Sequence, residues 1–273
     1  MSWPGIVAEA SEPRAVIVAL HGGAVSARYF DAPGHPRHSL TRTGPSLGYT
    51  VVALNRPGYE GTTGSESPGE RVALAFEAID TLLAGRPRGA GLFLAGHSAG
   101  CMLAVRMAAA ERGSEVLGLE LAGTGLHHHP LVRAAFEEKS SSGVHDLIWF
   151  PSSLYPPDSV RDRRILSPGG PLYERTEGRR WRETFPALAT RVTVPVRYVL
   201  GEHERVWRAG ADALTEVAGL FTASPRVVTY SQPGGGHNLS LGWSAFAYHL
   251  SMLSFAEECV LERAAQTSRE ETA

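Results

Sequence analysis

Short, continuous apolar runs alternate along this chain with longer stretches in which apolar residues recur every three or four positions. AVIVAL at 15–20, YTVVAL at 49–54, LFLA at 92–95, VLGLEL at 116–121, VPVRYVL at 194–200 and RVVTY at 226–230 read as strands. Apolar character without alternation marks strands covered on both faces, as in a parallel sheet flanked by helices. Between them, Val72, Leu74, Ala75, Phe76, Ile79 and Leu83 recur at helical spacing, and small residues fill the stretch from Ala99 to Ala108. Further helices are expected near 38–43, 206–220 and 239–263. Residues 1–14, which contain Pro4 and Pro13, leave room for one poor strand.

The alternation fails from 123 to 191, a segment rich in Pro, Ser, Arg and aromatic residues. A structureless loop of that length is improbable inside a compact domain, so it reads as an inserted lid of short helices. The expected organisation is an α/β core at 1–122 and 192–265, a lid at 123–191 and a disordered polar tail at 266–273. No internal repeat is present.

Composition narrows the picture little. With 273 residues and a formal net charge of -2, the chain suits a single α/β domain and carries no nucleic-acid footprint. The segment 123–192 holds ten basic and eight acidic side chains and so shows no strong charge preference. Cys101 and Cys259 read as reduced, buried thiols. No early apolar run is long enough for a signal h-region or a membrane span, so a cytoplasmic protein without membrane association is expected.

The chemistry lies where strands end. LFLA runs into Gly96-His97-Ser98-Ala99-Gly100 and then into a small-residue helix, the sequence form of a nucleophile elbow. Presenting a hydroxyl at the tip of so sharp a turn demands positive φ at Ser98 and no Cβ at Gly96 or Gly100. The Ala99 N–H then lies at a helix N-terminus, where it can stabilise an oxyanion. Gly44-Pro45-Ser46-Leu47-Gly48 matches the same letters but lies between a polar stretch and a following strand, so Ser46 reads as a turn residue. After the 15–20 strand, His21-Gly22-Gly23-Ala24 can turn backbone N–H groups toward a cavity, with Gly23 as the candidate second oxyanion donor.

A serine hydroxyl needs a base, and the base needs an acid that holds its tautomer. Among eleven histidines His237, in PGGGH after the last strand, has the best position. For the acid, GEHE after the 194–200 strand offers Glu202 and Glu204, and Glu204 is preferred because it lies further beyond the strand end. His127-His128-His129 suggests a metal, but adjacent side chains do not converge and no carboxylate or cysteine spacing supports them. No metal and no cofactor are expected. Phe136, Trp149, Phe150, Tyr155 and Trp181 either line an apolar acyl pocket or form the lid's own small core.

HGGA at 21–24, NRPGYEGTTG from Asn55, GHSAG at 96–100, LGEHE at 200–204 and GGGHN at 234–238 together resemble the α/β-hydrolase superfamily. The resemblance is to lidded bacterial members similar to proline iminopeptidases, esterases and biosynthetic thioesterases. It implies a mostly parallel sheet flanked by helices, with a helical lid inserted after the sixth strand of the family's scheme. It further implies Ser98 as nucleophile, His237 as base, Glu204 as acid, and the Gly23 and Ala99 amides as oxyanion hole. This chain departs from the family pattern at Ala24 (usually Pro), Asn55 (usually Asp) and Glu204 (usually Asp), and its N-terminus is short for the family's first two strands. The implied activity is cleavage of a carboxylic ester or thioester through an acyl-enzyme. The substrate is a small acyl molecule, free or bound to a carrier protein. Two alternatives stay open: intramolecular acyl transfer by a cyclising tailoring enzyme, and a hydrolase-fold receptor without turnover.

Overall fold

A computed structural model describes residues 3–138 and 140–270; the side chains of 136, 161 and 270 fall outside the description. Seven strands form one sheet in the order β1-β3-β2-β4-β5-β6-β7. They are β1 (Gly5–Ala8), β2 (Val16–Leu20), β3 (Thr50–Leu54), β4 (Leu92–His97), β5 (Val116–Ala122), β6 (Val196–Gly201) and β7 (Val227–Gln232). All neighbours pair in parallel except β1, which runs antiparallel to β3 at the edge. The helices are α1 (Leu40–Ser46), α2 (Pro68–Leu82), α3 (Ala99–Ala108), α4 (Pro130–Glu137), α5 (Ser141–Ile148), α6 (Leu172–Ala189), α7 (Ala211–Ala218) and α8 (Ala245–Glu270).

The central strands are buried along their whole length, β2, β3, β4, β5 and β6 without a single exposed residue. Their alternate side chains feed two cores. Val16, Val18, Leu20 and Leu94 pack against α2, α3 and the end of α6, and Ile17, Ala19 and Phe93 against α1 and α8. That two-sided burial explains why these strands read as unbroken apolar runs. Parallel pairing in near-register also brings the strands' C-terminal ends to one edge, with Leu20 beside Gly96, His97 beside Ala122 and Gly201 beside Gln232. All four expected chemical turns therefore open on the same side of the sheet.

Three expectations change. The helix expected at 206–220 begins only at Ala211, because the amides of Val206 and Trp207 bind the Glu204 carboxylate instead of entering a helical ladder. The expected 38–43 helix divides into a single 3-10 turn, Pro36–His38, and α1, whose last residue is Ser46. The last helix runs on through Glu270, so residues 266–270 are helical and not a disordered tail; 271–273 lie outside the described residues. Between β5 and β6, where a lid of short helices is expected, the chain forms α4, α5, short 3-10 turns and the 18-residue α6.

Candidate active site

Ser98 occupies the elbow between β4 and α3 with φ 50° and ψ -118°. Sterics make the flanking glycines obligatory. A Cβ on Gly96 would lie 2.8 Å from the Cα of Cys101, and one on Gly100 would collide with the carbonyl oxygen of Leu20 at the end of β2. The elbow is thus wedged against the neighbouring strand, and the Ser98 N–H is tied to the Ala122 carbonyl at 2.8 Å. Ser46 has a different setting: its hydroxyl donates to the Thr43 carbonyl within α1.

His237 Nε2 lies 3.1 Å from Ser98 Oγ, and its Nδ1 lies 3.0 and 2.9 Å from the two oxygens of Glu204. Facing a carboxylate that can only accept, Nδ1 carries a proton, so in the neutral tautomer Nε2 is the acceptor toward the serine hydroxyl. Burial pushes the Glu204 carboxyl up, but the His237 ring and the amides of Val206 and Trp207 outweigh it and hold the group below the usual carboxylate range. Glu202 is on the surface, accepting from the Gly234 amide at 2.9 Å, so the structure brings Glu204 and not Glu202 to the histidine.

The loop opposite Ser98 is set by two buried groups. His21 Nδ1 donates to the Gly22 carbonyl at 2.8 Å and its Nε2 accepts from the Arg56 amide at 3.2 Å, a pairing that defines a neutral tautomer. Burial, reinforced by the Arg56 charge, holds the His21 pKa well below its ordinary value. The Arg56 guanidinium donates to the same carbonyl at 2.9 Å. In a trans peptide the carbonyl and the following N–H point in opposite directions. Fixing the Gly22 carbonyl on one side therefore turns the Gly23 N–H to the other. Among the described residues, no carbonyl accepts from either the Gly23 or the Ala99 amide. The Ala24 amide, by contrast, is taken by the Tyr59 hydroxyl at 3.2 Å.

Two residues hold the His237 loop in place: His97, which the sequence did not single out, and Tyr155, which was expected at a pocket or in a lid core instead. His97 stacks on Tyr29 and donates through Nε2 to the His237 carbonyl at 3.0 Å; burial and the neighbouring His237 lower its pKa to about 3, so it is neutral. Tyr155 accepts from the Asn238 amide at 3.2 Å, behind the same loop. The one available signal was a histidine directly before the elbow serine.

Of the five aromatic residues singled out, Trp181 lines a cavity of about 1140 Å³ whose walls come from α4, α5, α6 and the loops beside them. Trp149 and Tyr155 pack edge to face within the core on the other side of the sheet, and Phe150 lies on the surface under the Arg205 guanidinium. The Phe136 side chain falls outside the described residues. The three adjacent histidines diverge: His127 pairs with Glu216, His128 stacks on Trp207, and His129 accepts from the Leu131 amide. Among the described residues no cluster of His, Cys, Asp or Glu could hold a metal, and no helix is long and apolar enough to cross a membrane.

With the elbow and its partners in place, residues 17–247 match the family described as the Alpha/beta hydrolase family. This chain belongs to that family. No curated protein sequence matches it significantly. Among solved structures it is similar to a thermostable carboxyl esterase from Bacillus coagulans, at 17% identity and a TM-score of 0.62, covering 95% of this chain and 99% of that one. A monoacylglycerol lipase from Paleococcus ferrophilus matches at 19% identity and a TM-score of 0.61 over 94% of this chain and 98% of that one. The thioesterase domain of the curacin biosynthetic pathway matches at 19% identity and a TM-score of 0.56 over 90% of this α/β-hydrolase chain and 93% of its own. At such identities the likeness shows the fold alone.

Proposed function

We propose that this α/β hydrolase cleaves a carboxylic ester or thioester through an acyl-enzyme on Ser98. The observation that carries the reading is the unbroken chain of hydrogen bonds from Ser98 Oγ through His237 to Glu204 at a positive-φ elbow. In this reading His237 Nε2 takes the serine proton as Oγ attacks the acyl carbonyl. Glu204 stabilises the imidazolium that forms without itself accepting a proton. The Gly23 and Ala99 amides stabilise the oxyanion, and protonated His237 returns its proton to the leaving oxygen or sulfur. Water, deprotonated by the same base, then releases the acid.

The test is turnover of p-nitrophenyl esters and acyl thioesters of graded chain length by the native protein and by Ser98→Ala. The substitution is expected to lower kcat by about four to six orders of magnitude, as removal of a serine nucleophile does elsewhere. Equal rates in the two proteins would contradict the reading.

A further inference from the structure

The loop that presents the Gly23 amide is held largely from the inserted segment. Beyond Gly23 the two run antiparallel: the Ser167 amide donates to the Ala24 carbonyl at 3.0 Å, the Ser26 amide donates to the Ile165 carbonyl at 2.9 Å, and Val25 and Leu166 face each other as an isolated bridge. Ala24 has φ 55°, a left-handed conformation that a residue with a side chain keeps only where its surroundings impose it. On the near side, one carboxylate from α6 gathers the two groups that fix the peptides around Gly23. The Arg56 Nη2 that donates to the Gly22 carbonyl also donates to Glu174 Oε1, at 2.6 Å. The Tyr59 hydroxyl that accepts from the Ala24 amide donates to Glu174 Oε2.

Glu174 sets the direction of both contacts. Burial above all raises the Tyr59 pKa, so the hydroxyl is protonated; its one proton goes to the carboxylate, which leaves a lone pair for the Ala24 N–H. Arg56 is buried, and a buried guanidinium keeps its place only against a counter-charge, here the partly buried Glu174. A Cβ on Gly23 would lie 3.5 Å from Glu174 Oε2, so the carboxylate stands directly beside that residue. Ala99, which carries the other oxyanion amide, shares a gap of about 10 Å³ with Arg56 and Glu174. Without the carboxylate the Gly22-Gly23 peptide, which has no Cβ on either side to resist rotation, keeps only the His21 contact. Glu177, three residues along α6, pairs with Arg71 and Arg106 instead.

We infer that Glu174 is a positioning residue: through Arg56 and Tyr59 it keeps the Gly23 amide turned toward the acyl oxygen at Ser98, so that α6 is part of the support of the oxyanion hole. The inference rests on the hydrolase reading above and deepens it. Glu174 acts through these two side chains, and its effect is felt where the acyl oxygen gains charge, so it raises kcat and leaves KM nearly alone.

Glu174→Gln and Glu177→Gln separate this role from attachment of the helix alone, because both loosen α6 and only the first touches the loop. Expressing kcat on a p-nitrophenyl ester per site, titrated by exhaustive fluorophosphonate labelling of Ser98, removes unfolded chains from the comparison. Glu174→Gln is expected to lower kcat by about ten- to a hundredfold, part of what loss of a whole oxyanion donor costs, with KM changed by less than about threefold. Glu177→Gln is expected to lower the urea midpoint as much while kcat stays within about threefold. Tyr59→Phe strands no charge, serves where Glu174→Gln does not fold, and is expected to lower kcat by about three- to tenfold. Unchanged kcat in Glu174→Gln (in Tyr59→Phe, where Glu174→Gln does not fold), or equal losses in the two glutamine variants, overturns the positioning role and leaves the hydrolase reading standing. Phosphonylation needs its phosphoryl oxygen held by the same amides, so labelling rates carry the test without turnover. A native protein that labels but cleaves no ester or thioester sinks the hydrolase reading. Slower labelling of Glu174→Gln, with Glu177→Gln unchanged, then upholds the positioning role, and labelling of Glu174→Gln at the native rate sinks it too.

Discussion

At the scale of the residue, Glu204 is one of three departures from the pattern of the family the chain resembles, and the role proposed for it rests on its setting. Its Oε1 accepts from Val206 and Trp207 amides at 2.7 and 3.3 Å while both oxygens face His237, so the longer side chain is anchored at its tip. Glu204→Gln keeps the shape but can present an amide N–H to Nδ1, which favours the tautomer with the proton on Nε2. A fall in kcat of about three to four orders of magnitude is expected, with little change in KM; steady-state kinetics on a p-nitrophenyl ester reads it. Glu202→Gln, on the surface, is expected to leave kcat within about twofold. Ser98, Glu204 and His237 stood out in the sequence because each lies in a turn after a strand, a buried one for Ser98 and Glu204 and a partly exposed one for His237. The supporting role of His97 was not, because its partner is the backbone carbonyl of a residue far along the chain.

At the scale of the element, β1, at the edge and partly exposed, left only room for a poor strand without bounds, whereas β2 to β6 were legible within two residues because two-sided burial leaves an unbroken apolar run. The inserted helices were not. In α6 the buried Tyr173, Trp181, Phe185 and Ala189 keep helical spacing, but Pro186 lies inside the helix and charged residues crowd the intervening positions. Which face of α6 meets the core is decided by Arg56, Arg71 and Arg106, and no local pattern contains them. Among the described residues, one ion pair joins two strands of the sheet. Glu120 on β5 lies in register with Arg197 on β6, both are buried, and they meet at 2.6 Å. Arg197→Met strands a buried carboxylate and is expected to cost about 3–5 kcal/mol, whereas Glu120→Leu/Arg197→Met recovers most of that loss. Urea unfolding of the two variants measures the difference; equal stability would mean that the pair has no part in holding β5 to β6.

At the scale of the whole molecule, the fold keeps several histidines dry. His97 and His249 are fully buried with pKa values lowered to about 3, by burial first and then by His237 and His38 respectively. In the unfolded chain both return to about 6.5. Between those values the unfolded state binds more protons, so stability rises with pH there and is lost as pH falls from about 6.5 toward 3. Each such histidine contributes a slope approaching 1.4 kcal/mol per pH unit, so urea midpoints should drop steeply from pH 7 to pH 5. A midpoint independent of pH over that range would mean these rings are not buried in neutral form. The same tight packing holds the elbow, the base and the acid at one edge of the sheet, and the claim that they act together is open to one direct measurement. After exposure to a fluorophosphonate probe, intact mass and peptide mapping should show one adduct per chain, on Ser98, formed far more slowly in His237→Ala and absent in Ser98→Ala. Labelling that persists in Ser98→Ala, or proceeds at an unchanged rate in His237→Ala, would contradict the account.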